Sequence, residues 1–193
     1  MASENGLQLD DNALAGYLKS VLDGFKGPVH SEKFKGGQSN PTYRLRAASG
    51  DYVLRRKPPG HLLGSAHAVD REYRLLQALQ GSAVPVAQPL HLCRDDSVIG
   101  SMFYVMSYID GRVFWDPSLP ELEAPQRSVL YDTLLQTLAA IHAIDVDAYG
   151  LADYGKPGNY FERQVARWSQ QYRDSETRPI AAMDILIREL PGR

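Results

Sequence analysis

Phe34-Lys35-Gly36-Gly37-Gln38-Ser39-Asn40-Pro41-Thr42-Tyr43, followed by Tyr52-Val53-Leu54-Arg55, is the part of this 193-residue sequence on which the fold turns. A glycine pair and small polar residues stand between two stretches of strand-forming residues. Glycines let a backbone turn sharply and approach a ligand closely, and the N–H groups of such a turn can cradle phosphate oxygens. Taken alone, the run reads equally well as an ordinary hairpin turn. Arg55 ends the next strand. Turned inward, its forked, permanently charged donor set suits the phosphates of a nucleotide; turned outward, it is a solvated strand end like its neighbours Arg56 and Lys57. Glu72 follows in a helical stretch, where an acid can hold the strand cation in place or be one exposed charge among Asp70, Arg71 and Arg74.

Working outward, residues 10–25 carry Leu14, Leu18, Val21 and Leu22 at helical spacing, with Asp10 or Asp11 available as the cap. Strands are expected over 33–46 and 52–57, joined by a turn at 47–51. A helix over about 66–80 presents Val69, Tyr73 and Leu76 on one face. Residues 84–92 contain two prolines and read as an extended edge. Residues 90–94 and 102–108 then form a hairpin, turned at Asp95 and Asp96. Asp110-Gly111 breaks that pattern, and helices are expected over 125–143, 160–173 and 179–190. Strands first and helices afterwards indicate an α+β fold with two segregated parts, and ligands favour the cleft between such parts.

Composition narrows the function classes. Lys plus Arg is 21 against 23 for Asp plus Glu, a net charge of -2. That balance offers no basic excess for nucleic acid or an acidic membrane surface. The N-terminal residues are polar and acidic, unlike a secretory signal, and the longest apolar run is far shorter than the roughly 20 residues of a membrane helix. A single cysteine, Cys93, excludes an internal disulfide and a multi-cysteine zinc site. A soluble protein of a reduced, cytoplasmic compartment is expected.

The order of glycine loop, strand cation, helix acid, apolar hairpin, Asp-Gly break and helices resembles the aminoglycoside phosphotransferase and choline kinase-like family. That family has the protein-kinase-like fold. Within it, the sequence is similar to the subgroup whose domains also occur fused to acyl-CoA dehydrogenases. The runs that carry the likeness are Gly36 to Tyr43, Tyr52 to Gly60, Phe103 to Arg112, Leu138 to Asp145 and Asn159 to Gln171. The resemblance implies an antiparallel sheet lobe with one helix over residues 1–109 and the start of a helical C-terminal lobe over 110–193. It implies that Gly36, Gly37, Gln38, Ser39 and Asn40 cover the triphosphate of ATP. Arg55 stands where most kinases have the phosphate-binding Lys, paired with Glu72. Met106 lies beside the adenine, and the backbone C=O of Ser107 and N–H of Ile109 read its edge.

The family continues with a loop of the form H-G-D-x-x-x-x-N and then a metal-binding Asp, which supply the base and the Mg²⁺ ligands. No such run occurs between Met1 and Arg193, so this sequence contributes no catalytic residue and the Mg²⁺ ligands are expected outside it. His142 is followed by Ala143 and is expected to pack or cap its helix. Two functions follow: the nucleotide-binding portion of an ATP-dependent phosphotransferase acting on a small-molecule hydroxyl, or a non-catalytic, regulatory kinase-like module. Aminoglycosides, choline-like alcohols, sugars and hydroxyacyl-CoA esters are all candidate acceptors, the subgroup favouring the last. Apolar surface is expected around Val129, Leu135 and residues 185–190, and with it self-association.

Overall fold

A computed structural model describes residues 8–35, 40–58, 68–155 and 158–192. Leu14 and Leu18 lie one helical turn apart on α1 (Asp11–Val21), and both are fully buried. Asp10 caps this helix, its Oδ1 accepting the backbone N–H groups of Asn12 and Ala13 at 3.0 Å each. The strands are β1 (Val29–Lys33), β2 (Thr42–Ala47), β3 (Gly50–Arg56), β4 (Pro89–Cys93) and β5 (Phe103–Ser107), with α2 (Val69–Ala78) between β3 and β4. They form one antiparallel sheet in the order β1-β2-β3-β5-β4.

One sequence expectation is corrected here. The stretch 33–46 is not a single strand: β1 ends at Lys33 and β2 begins at Thr42. Pro41 cannot donate to a ladder. Most of β1 lies upstream of the expected start, because an edge strand with one buried residue, Val29, carries little apolar signal.

Register sorts the side chains onto two faces. Tyr43, Leu45, Leu54, Phe103 and Val105 share one face and form the core with Leu14, Leu18 and Cys93. Each fully buried aliphatic or aromatic side chain there is worth about 1.5–3 kcal/mol of transfer free energy. Thr42, Val53, Arg55, Tyr104 and Met106 share the other face, where the ring of Tyr73 on α2 lies 5.9 Å from that of Tyr104. Arg56 therefore parts from Arg55. It is buried, its Nε donates to Ser101 Oγ at 2.9 Å, and that hydroxyl donates to the Lys57 carbonyl at 3.0 Å.

The contact between α1 and β4 has a pH signature. The Tyr17 hydroxyl lies 2.8 Å from His91 Nε2. Burial lowers the His91 pKa, and burial, followed by the neighbouring Cys93, pushes the Tyr17 phenol up to about 12. Neutral His91 is thus the form the fold favours. Above the ordinary histidine value of about 6.5, neither folded nor unfolded chain binds this proton and the contribution is whole. As pH falls below that value the unfolded chain takes the proton first, so stability falls until the folded histidine titrates. Thermal unfolding between pH 7.5 and 5.5 is expected to show Tm declining towards acid, with a shallower decline in His91→Phe. Equal slopes in the two proteins would contradict this account.

The chain divides into two compact units between Tyr149 and Gly150. The first includes α3 (Ala124–His142), none of whose residues is buried. Val129 and Leu135 are exposed on it. His142, expected to pack or cap, is exposed in the last turn of α3. The second unit holds α4 (Tyr160–Ser175) and α5 (Ala181–Glu189), joined by an ion pair of 2.6 Å between Arg173 Nη2 and Asp184 Oδ1. Phe161, Val165 and Trp168 face Met183, Leu186 and Leu190 across an apolar groove.

Candidate functional site: the Arg55–Glu72 centre

Strand pairing sets Thr42, Arg55 and Tyr104 side by side on β2, β3 and β5, and α2 brings Glu72 over them. Arg55 Nε donates to Glu72 Oε2 at 2.6 Å and Nη2 to Oε1 at 3.4 Å, while Nη1 donates to Thr42 Oγ1 at 3.2 Å. The carboxylate collects two further donors. Asn40 Nδ2 reaches Oε1 at 2.8 Å and the Tyr104 hydroxyl reaches Oε2 at 3.2 Å. Asn40 and Tyr104 are 4% and 3% exposed, so two of the four donors come from nearly dry positions. Burial, and then the charge of Glu72, push the Tyr104 pKa up, which keeps the phenol protonated as a donor.

An exposed ion pair is worth about 0–1 kcal/mol. This one differs because four hydrogen bonds to the two carboxylate oxygens occupy the acceptor capacity of Glu72. The carboxylate is consequently committed to positioning Arg55. Two of the five guanidinium N–H groups have no partner among the described residues, and the side chain is 32% exposed. What the arrangement offers is a permanently charged, pre-oriented donor edge, the chemistry that binds a phosphate oxygen pair. These residues therefore fit the phosphates of a nucleotide. A metal is a different matter: among the described residues no three His, Cys, Asp or Glu side chains come together to hold one.

Asn40, Arg55 and Glu72 are thus brought together; Asn40, expected over the triphosphate, places its side-chain amide on the Glu72 carboxylate. Met106 lies on the same sheet face, half-buried beside Val53. Ser107 has the opposite parity, and its N–H donates to the Gln88 carbonyl at 2.9 Å while its Oγ accepts the Gln88 N–H at 3.0 Å. Ile109 follows the sheet and is exposed. Gly36, Gly37, Gln38 and Ser39 lie outside the described residues. Thr42 and Tyr104 were not singled out from the sequence. Thr42 is the residue paired with Arg55, a relation the hairpin alone predicts once its register is known. Tyr104 meets Glu72 only through the non-local pairing of β3 with β5.

An open groove beside α3, about 530 Å³ in volume, is the rival location. Its walls are mainly Leu122, Pro125, Val129 and Leu130, and Arg112 is its one charged side chain, so it carries no acid, base or paired charge.

Residues 30–193 match the model of the phosphotransferase enzyme family. The chain is 46% identical over 186 residues to mouse acyl-CoA dehydrogenase family member 10 and 42% identical over 183 residues to mouse family member 11. These alignments cover 96% and 93% of the chain but 17% and 24% of the two relatives. Among solved structures, a Ralstonia eutropha protein provisionally named an aminoglycoside phosphotransferase superposes with a TM-score of 0.78 at 47% identity, over 96% of this chain and 54% of that one. Its kinase-like fold accounts for the five-stranded sheet with α2 laid across one face. This chain, matched over residues 30–193, belongs to the phosphotransferase enzyme family.

Proposed function

We propose that this chain is the nucleotide-binding part of an ATP-dependent phosphotransferase that acts on the hydroxyl of a small molecule. The observation that carries the reading is the Arg55 guanidinium, fixed by Glu72 and Thr42 with two N–H donors that have no partner among the described residues. ATP would supply the phosphoryl group. Arg55 holds and neutralises phosphate oxygens, while Asn40 and Tyr104 keep Glu72, and through it Arg55, in one orientation. Met106, with the Ser107 and Ile109 backbone, flanks the base. In phosphoryl transfer the protein's work is positioning and charge neutralisation, and the Arg55–Glu72 centre does the first part of both.

The acceptor we favour is a hydroxyacyl-CoA ester. Both mouse relatives bear the name acyl-CoA dehydrogenase, and in them the matched region is joined to a much longer chain. A reduced, cytoplasmic setting fits the single buried cysteine, Cys93.

Calorimetric titration of the chain with ATP tests the proposal. Saturable binding is expected with a dissociation constant in roughly the micromolar to millimolar range usual for enzyme substrates. Heats no larger than dilution up to several millimolar ATP would remove the nucleotide-binding role.

A further inference from the structure

Strand parity places a second arginine on the Arg55 face. Arg44 stands two residues beyond Thr42 on β2, opposite Val53, which in turn pairs with Met106. Along a strand, same-face rows are about 7 Å apart. The row of Arg44, Val53 and Met106 therefore lies one step from Arg55, and Asp51 and Tyr108 lie one step further still.

Arg44 does not point along its own strand. Its side chain crosses β3 diagonally: Nε donates to Asp51 Oδ2 at 3.0 Å, Nη2 bonds the same oxygen, and Cζ sits 4.2 Å from the centre of the Tyr108 ring. Three elements meet in this contact: β2, β3 and the segment that leads from β5 into Ile109-Asp110-Gly111. A solvated surface pair samples many geometries. Here a carboxylate fixes the guanidinium from one side and an aromatic face from the other, which leaves a flat, rigid wall. The wall stands on the far side of the Val53–Met106 row from Arg55.

We infer that Arg44, held by Asp51 and stacked on Tyr108, closes the base end of the nucleotide seat and sets how tightly the base is gripped, taking no part in holding the phosphates. The inference rests on the nucleotide-binding reading above and adds a division of labour along one sheet face. Arg55 serves the phosphate end. Arg44 is a specificity-determining residue for the base end, acting through its own stem and through the placement of Tyr108.

A ligand with phosphates and no base separates the two ends. The chain is titrated with ATP and with inorganic tripolyphosphate, as wild type and as Arg44→Ala, Arg44→Lys, Tyr108→Leu and Arg55→Ala. Arg44→Ala and Tyr108→Leu are each expected to weaken ATP binding by about 5- to 10-fold and to leave tripolyphosphate binding unchanged. Arg44→Lys keeps the charge, loses the planar stack, and is expected to follow Arg44→Ala. Arg55→Ala is expected to weaken both ligands. Thermal unfolding checks that each variant is folded; should Arg44→Ala fail that check, Arg44→Lys and Tyr108→Leu decide. Equal losses of ATP and tripolyphosphate in the Arg44 variants would make Arg44 a phosphate ligand and overturn the inference, as would no loss of either. Failure of the wild-type chain to bind ATP overturns the nucleotide reading itself, and this inference with it.

Discussion

Arg55→Ala is expected to weaken ATP binding by about 10- to 100-fold. Hydrogen bonds to charged groups contribute about 1.5–3 kcal/mol each, and 1.4 kcal/mol is a factor of ten. The lower bound corresponds to one lost phosphate contact and the upper to two, matching the two guanidinium N–H groups that have no partner among the described residues. Glu72→Ala is expected to cost less affinity, because the cation remains and only its orientation is released. Its structural cost should be larger. The buried Tyr104 hydroxyl and the Asn40 amide both lose the acceptor they use, and a stranded buried donor costs about 1–3 kcal/mol. The two substitutions therefore separate on two axes: Arg55→Ala chiefly moves the ATP dissociation constant, and Glu72→Ala chiefly moves the unfolding midpoint. Calorimetry with ATP and a denaturant titration read them independently. Wild-type affinity in Arg55→Ala would mean that this guanidinium does not meet the phosphates, and the site would have to be sought elsewhere.

Why the sequence revealed Arg55 and Glu72 but not their surroundings has a physical explanation. A cation at a strand end and an acid in the next helix are local signals, and their order along the chain survives any uncertainty in register. The facing of Arg55 is not local. Val53 and Leu54 are both apolar and both buried, since the sheet is packed under α1 on one side and approached by α2 on the other. Period-two alternation is lost where both faces are covered, and nothing in Tyr52-Val53-Leu54-Arg55-Arg56 says which arginine turns towards α2. The pairing Arg55↔Tyr104 decides it, across 48 residues of intervening chain. Helix α1 was legible because its leucines follow the helical period and Asp10 supplies the cap. Strand β1 was not, because four of its five residues carry no apolar signal. The loss concerns parity and register; element type survived wherever periodicity was strong.

ATP binding by this chain is expected to occur without phosphoryl transfer. In kinase-type transfer an Asp of the catalytic loop accepts the hydroxyl proton, and its Asn with a later Asp hold Mg²⁺. A positioned general base alone is worth about 10²- to 10⁴-fold, and metal neutralisation of the phosphates adds several kcal/mol. The residues between Met1 and Arg193 contain no His-Gly-Asp or His-Arg-Asp run. Neither His142 nor Asp145 is followed by the Asn that such a loop supplies four or five residues on. His142 is exposed at the end of α3, and Asp145 spends its Oδ1 on the backbone N–H groups of Asp147 and Ala148, at 3.0 and 3.2 Å. Arg55 cannot compensate, because a cation on the donor phosphates neither accepts the hydroxyl proton nor holds Mg²⁺. The measurement is ADP release by the chain with ATP, Mg²⁺ and candidate acceptors, hydroxyacyl-CoA esters among them. Activity at the level of a protein-free control is expected. Mg²⁺-dependent ADP formation that co-elutes with the chain and disappears in Arg55→Ala would place a base and metal ligands within these 193 residues and refute this expectation.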